Sequence, residues 1–391
     1  MLKSRLLVLA CLLSLPAAAN AQAQNETIFG FGDSAYVYVM SNNITANSVA
    51  VLRRNFFGGL DKVGVVATGG AGVGVGTTAP PPDPLGAQNE LLLSQDGQWL
   101  FAVNAGSNQI STFQVAHGQL RLTGIVSSGG TYPVSLAQRG DMLYVLNSAG
   151  HANVTAFHIG RAGNLTEQAH SRRLIGTDAP LVNNQPNVGT TAAQLQFDRD
   201  QKWLAVTVKD ATAKGFIEMF AVDRQGDLAD DPVITPSNDS QPFGFTFDDR
   251  DNLVVSEAGG NAVSTYDIGR DGTLRTITES VANGQAATCW LATTGKFVYT
   301  SNAGSSTVSG YRLDNAGHLQ LMEKSGIAAR LPKGAAPTDL KISGDGHSLY
   351  VLDPASGSID TFFVLGDGEL VRIDSTPVFP ALSGMQGLAL K

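Results

Sequence analysis

Residues 89–128, NELLLSQDGQWLFAVNAGSNQISTFQVAHGQLRLTGIVSS, decide how this chain folds. Four short apolar runs, ELLLS, WLFAVN, QISTFQV and LRLTGIVSS, are separated by the turns QDGQ, AGSN and AHGQ. The runs are rich in β-branched and aromatic residues. The turns carry Gly, Asn or Asp, which tolerate the positive φ of tight hairpins. The stretch therefore reads as four consecutive antiparallel strands.

The central phrase of that stretch, an apolar run ending in a small polar residue, a Gly-rich turn and a second apolar run, recurs seven times. The copies are YVYVMSNNITANSVAVL, LFAVNAGSNQISTF, LYVLNSAGHANVTAF, LAVTVKDATAKGFIEMF, LVVSEAGGNAVSTY, VYTSNAGSSTVSGY and LYVLDPASGSIDTF. Their equivalent polar positions are Asn42, Asn104, Asn147, Thr207, Glu257, Asn302 and Asp353. A period of roughly fifty residues belongs to repeats built from four-stranded units. A lone sheet of this composition would expose apolar side chains on both faces, so the units must stack around an axis. The expected fold is all-β, a seven-bladed β-propeller of four-stranded antiparallel blades.

The chain ends support closure of that ring. The first copy begins at Tyr36 with no strand segment of its own before it, while the terminal SGMQGLALK resembles the first strands YPVSLAQ and APTDLKIS. The C-terminal strand is expected to pair into blade 1 and remove the open edges. In such a ring the repeated polar position, the turn that follows it and the start of each inner strand share one face. We call it the entrance face and expect any site there.

Composition narrows the function. In the first 23 residues, Lys3 and Arg5 precede an apolar run and the small residues Ala19 and Ala21, the layout of a signal peptide, leaving 24–391 as a single domain. A secreted or periplasmic location follows from that layout. Lipidation at Cys11 is the alternative, against which Leu9 stands where a small residue is wanted. Removal of residues 1–23 leaves 24 basic against 34 acidic residues and shifts the net charge from −8 to −10. So acidic a chain repels phosphate backbones and anionic lipid, which argues against nucleic acid as a partner. No segment after the leader is apolar for long enough to span a membrane, and only Cys289 remains, so no disulfide forms within the chain. A monomer is expected.

Candidate site residues come from the repeat. Asn, Thr and Asp at the repeated position suit capping of the turn that follows. Glu257 carries an extra methylene, and a carboxylate facing the mouth of the ring is a candidate general base. The oxyanion formed when an ester is cleaved needs a cation or paired amides. Lys209 and His151, in turns after second strands, and Arg330 and Lys333, in the loop before blade 7, are the cations in reach. Asn104, Asn147, Asn302 and Asp353 complete the set of candidate substrate contacts. The histidines show no pairing at metal-ligand spacing, so neither a metal nor another cofactor is expected. The DDRDN turn at 248–252 fits a hairpin better than a calcium loop, and GGAGVGVGTTAPPPDP at 69–84 is a long connection between blades 1 and 2, since a Pro cluster follows it where a phosphate loop needs a helix. This connection and DAPLVNNQPNVGTT, which enters blade 4, are placed to form a partial lid.

The stretches PLGAQNELLLSQDGQWLFAVNAGSNQISTF, QPFGFTFDDRDNLVVSEAGGNAVSTYDI and GQAATCWLATTGKFVYTSNAGSSTVSGYRL resemble the seven-bladed β-propeller lactonase family, which includes 6-phosphogluconolactonases and carboxymuconate-cyclase-like proteins. The resemblance covers the whole mature chain. It implies a lactone-hydrolysing or lactone-forming site on the entrance face, a small lactone or carbohydrate-like ligand, and a Glu of the fifth blade as participant, the position of Glu257. Where the family carries an Arg-His pair after a Pro, this chain has Phe243 and Gly244 after Pro242. Its segment PNVGTTAAQLQF lacks the His expected near the start of blade 4. The alternative to a lactonase is a non-catalytic binding propeller that has lost the site.

Overall fold

The computed structural model describes residues 36–74, 83–210 and 214–391. The expected leader, with Lys3, Arg5 and Cys11, lies outside the described residues, as does part of the Gly/Pro connection. Among the described residues there are seven antiparallel sheets, six of four strands and one of five. Blade 2 shows the pattern expected from its sequence, with strands Leu91–Leu93, Trp99–Asn104, Gln109–Ala116 and Gln119–Ser127 in spatial order. Blade 1 is completed from the other end of the chain. Its inner strand is Leu388–Leu390, paired antiparallel to Tyr36–Met40 through Val37↔Leu390 and Val39↔Leu388. Inner strands of consecutive blades touch all the way round, the first and last included, so the ring is closed.

Two blades depart from the plain pattern. In blade 3 the second and third strands form one continuous element, Met142–Ile159, bent through Gly150 at φ +65°, so the AGHA turn is absorbed into the sheet. Its outer edge is split between Leu165–Glu167 and Arg173–Ala179. Blade 6 has a similarly split edge, Leu319–Leu321 and Ala329–Arg330. At 248–252 the hairpin is confirmed: Asp248 Oδ1 accepts from the backbone N–H groups of Arg250 and Asn252, and Oδ2 from Asn252 Nδ2.

Neighbouring blades lock together where the hairpin joining third and fourth strands meets the blade before it. A Cβ on Gly163 (φ +76°) would sit 2.3 Å from the ring of Trp99, and one on Gly272 (φ +81°) 2.5 Å from the ring of Trp203. Glycine is demanded there twice, by the left-handed backbone and by an aromatic ring laid against it. Tyrosine hydroxyls make a related contact, with Tyr299 Oη donating to Gly368 O of the next blade at 2.7 Å.

The centre of the ring is filled by backbone. Residues 83–90, the approach to blade 2, run along the axis. Tyr132 of blade 3 donates its hydroxyl to Pro84 O at 2.8 Å, and Trp290 of blade 6 donates Nε1–H to Ala87 O at 2.6 Å. The Gln88 N–H reaches Ala193 O of blade 4, and its side-chain amide makes a two-way bridge to the backbone of Leu291 in blade 6 (3.1 Å each way). Ser135 Oγ and Leu136 N of blade 3 bond Gln88 O and Asn89 O. Leu85 N donates to Gln386 Oε1 in the closing segment, at 2.9 Å. Only a segment on the axis can bond blades 1, 3, 4 and 6 at once.

These close approaches give a graded test. Gly272→Ala meets both strained φ and a ring contact and is expected to lower the unfolding free energy by about 1–3 kcal/mol. Gly346→Ala, with φ +74° but open space around the added methyl, is expected to cost no more than about 1 kcal/mol. Denaturant midpoints of the two variants check the difference, and equal losses would overturn the ring-contact account.

Candidate functional site

The seven equivalent polar positions are buried; six are hubs that bind the connection arriving from the blade before, and Thr207 instead bonds the inner strand of the blade after. Asn104 Oδ1 accepts from Asn47 Nδ2 (3.0 Å) and Thr68 Oγ1 (2.6 Å) of blade 1, while its Nδ2 donates to Ser111 Oγ. Asn302 Oδ1 accepts from Asn283 Nδ2 and Thr288 Oγ1, and its Nδ2 donates to Thr307 and Ser309 hydroxyls. Asn147 Nδ2 donates to Ser128 O and Asn153 Oδ1. Asp353 Oδ1 accepts from the N–H groups of Ala336 and Ala355. Asn42 bridges Gly384 O and Val73 N, and Thr207 donates to Phe243 O. Turn capping is thus part of a larger task, the fastening of blade to blade.

Glu257 has the same task. It is 0% exposed, and its carboxylate receives four hydrogen bonds, from Ser237 Oγ (3.0 Å) and Asp239 N (2.8 Å) at Oε1 and from Ser264 Oγ (2.9 Å) and Ser280 Oγ (2.7 Å) at Oε2. The longer side chain reaches the arriving connection and the blade's third and fourth strands together. No cation touches it among the described contacts.

The other candidates are dispersed. His151 is exposed on blade 3, with Nδ1 2.9 Å from Asp178 Oδ1 and its side chain 85% accessible. It borders a depression of about 460 Å³ with Arg172, Glu167 and Asn153. Arg330 is not in a loop: it belongs to the outer edge of blade 6, pairs with Thr307 and is exposed. Lys333 is exposed as well.

Lys209 is the exception among the cations, because the structure buries it beside the axis. It is 3% exposed, its Nζ donates to Gly86 O at 2.5 Å, and the ammonium lies 4.6 Å from the centre of the Phe243 ring. The residue that follows Pro242 where the family has Arg is therefore the aromatic seat of a cation from the neighbouring blade. Burial lowers the Lys209 pKa to about 8, opposed by Asp83. Asp83 Oδ1 accepts from the N–H of the same Gly86 (2.6 Å) and from Gln386 Nε2 (2.6 Å), and burial raises its pKa. An acid and a cation thus hold the two ends of one residue at the centre of the entrance face. Cys289 lies close to both, and burial pushes its thiol pKa up, which makes it a poor nucleophile. The two long connections also meet here: Val188 lies against Gly86, and Gln185 Nε2 donates to Val73 O.

Asp83 escaped the sequence reading because it sits in a Pro cluster outside every repeat. Among the described residues no group of three His, Cys, Asp or Glu side chains is placed to hold a metal ion, and no helix is long and apolar enough to cross a membrane.

Comparison with known proteins agrees with this architecture. Residues 33–176 and 271–383 match the family described as lactonase, 7-bladed beta-propeller; the interval between them holds blade 4 and the first three strands of blade 5, which carry Lys209, Phe243 and Glu257. A putative 6-phosphogluconolactonase from Bacteroides fragilis has the same fold, with TM-score 0.66 at 18% identity over 92% of this chain and 98% of that one. The periplasmic gluconolactonase of Pseudomonas aeruginosa gives TM-score 0.66 at 16% identity, covering 91% and 98%. No curated protein matches the chain. The seven closed blades, the repeated phrase and the family match over most of its length agree, and the chain belongs to the seven-bladed β-propeller lactonase family.

Proposed function

We propose that this protein hydrolyses a small, non-phosphorylated lactone at the axial end of its entrance face. The observation that carries the reading is the placement of Lys209 and Asp83 on the two ends of Gly86. Lys209, protonated below about pH 8, supplies positive charge for the carbonyl oxygen as it becomes an oxyanion. Asp83, with its basicity raised by burial, takes the proton from the attacking water. Water oxygen bonds the carbonyl carbon, the ring C–O bond breaks, and the departing alkoxide recovers the proton from Asp83 to give the open hydroxy acid. A phosphorylated substrate would call for a cluster of cations, and Lys209 is the cation placed at this centre. The gluconolactonase and the putative 6-phosphogluconolactonase that share this fold support a sugar-derived lactone. The leader-like residues 1–23 support action outside the cytoplasm, which the mass of the mature protein tests.

One observation favours a non-catalytic binding propeller instead. The acid at the family's expected position, Glu257, has both oxygens engaged by structural donors. A panel of γ- and δ-lactones separates the two, since a propeller without chemistry turns over none of them.

Four outcomes are expected of the hydrolase. Lys209→Met lowers kcat/KM by about 10²–10³-fold, and Asp83→Asn by about 10²–10⁴-fold, with melting temperatures checked alongside. The rate of the wild type falls as pH rises through about 8, where Lys209 loses its proton, and that limb is absent in Lys209→Met. Glu257→Gln places an NH₂ among donors, so it is expected to cost about 1–3 kcal/mol of stability with little change in kcat/KM. Loss of turnover at an unchanged melting temperature would instead return the role of base to Glu257.

A further inference from the structure

The axial segment carries a second acid that no part of the proposed chemistry uses. Glu90 is 0% exposed, and neither of its carboxyl oxygens receives a hydrogen bond from a protein donor. Beside it stands Asp339, 1% exposed, on the approach to the inner strand of blade 7, whose Oδ2 accepts from Gly387 N at 2.9 Å. Two buried carboxyl groups set side by side are stable together only if one of them supplies a hydrogen to the other. The other charged groups facing the pair are Asp83, which disfavours its ionisation, and Lys341, which favours it. Lys341 Nζ is itself engaged by Asn89 Oδ1 at 2.6 Å.

The pair also sits at a junction. Glu90 belongs to the segment that fills the axis, and Asp339 grips Gly387, one residue before the strand that closes the ring. Gln386, next to Gly387, holds both Leu85 N and Asp83. Whatever loosens the contact between Glu90 and Asp339 therefore loosens the axial segment from the closing strand, and with it the Asp83–Gly86 corner of the entrance face.

We propose that Glu90 and Asp339 share a single proton and act as a pH-sensitive latch between the axial segment and the ring closure, one that holds in acid and releases as the medium becomes neutral to alkaline. The direction follows from the sign of the perturbation. Burial, together with the neighbouring acid, pushes both carboxyls up, Asp339 to about 7. The native state therefore keeps a proton that the opened state gives up at the ordinary carboxylate pKa. The latch is strongest below that range and weakens by about tenfold per pH unit until the pair has ionised, then levels off. Its chemistry does not depend on lactone hydrolysis, and the test below contains no substrate.

Hydrogen exchange of the full chain, read by mass spectrometry and corrected for the intrinsic pH dependence of exchange, tests this. Peptides covering 83–90 and 385–391 are expected to lose protection by about tenfold per pH unit from about pH 5 upward until the pair has ionised, and to level off beyond that. Glu90→Gln, whose amide donates to Asp339 at every pH, is expected to remove that dependence. Asp339→Asn does so from the other side if Glu90→Gln fails to fold. Glu218 is the control: its carboxyl in blade 4 is also raised by burial to about 7, yet Glu218→Gln is expected to leave the dependence in these two peptides intact. Corrected rates that are flat across the range in the wild type, or an unchanged slope in Glu90→Gln, would overturn the latch.

Discussion

Everything in this molecule is arranged around the two-way amide bridge between Gln88 and the backbone of Leu291. A ring of seven sheets leaves a hole lined by backbone edges and inner side chains, and some part of the chain or solvent must satisfy them. Here residues 83–90 do so, and Gln88 contributes both a donor and an acceptor to the opposite wall. That choice carries Asp83 and Gly86 to the middle of the entrance face and Glu90 into the interior. It also leaves Lys209 no solvent to point into, so its ammonium settles on Gly86 O and the face of Phe243.

The hubs show how one repeated position serves different side chains. Each blade must bind the connection that enters it, and the group required depends on what that connection presents. Where carbonyls and side-chain amides arrive, Asn suits, because it both donates and accepts. Where N–H and O–H groups arrive, as at Asp239 and Ser237, only an acceptor suits, and Glu257 with its longer reach takes both of them together with two hydroxyls of its own blade. Chemical type at this position follows the polarity of the incoming loop.

The blades were legible in the sequence because their strands and turns are local, decided by residues a few positions apart. Closure could be read as well, since SGMQGLALK repeats a pattern seen elsewhere in the chain. The contents of the axis could not. The bonds that place Gln88 and Leu85 join residues 203 and 301 positions apart, and no periodicity signals them. For the same reason Lys209 looked like a surface residue in a turn. Arg330 was misplaced because blade 6 has a split outer edge, so that what reads as a loop before blade 7 still pairs with Thr307.

The axial segment also sets an order in time. Residues 83–90 leave the ribosome early, whereas Trp290 and Gln386, which hold them, come near the end of the chain. Until then the segment has no walls to bond, and the cost of closing so long a loop falls on the last step of folding. The ring can be threaded only once it is nearly all made, so the protein must remain open for most of its synthesis. A chain of this kind is committed late, when the blades that wall its axis have all been made.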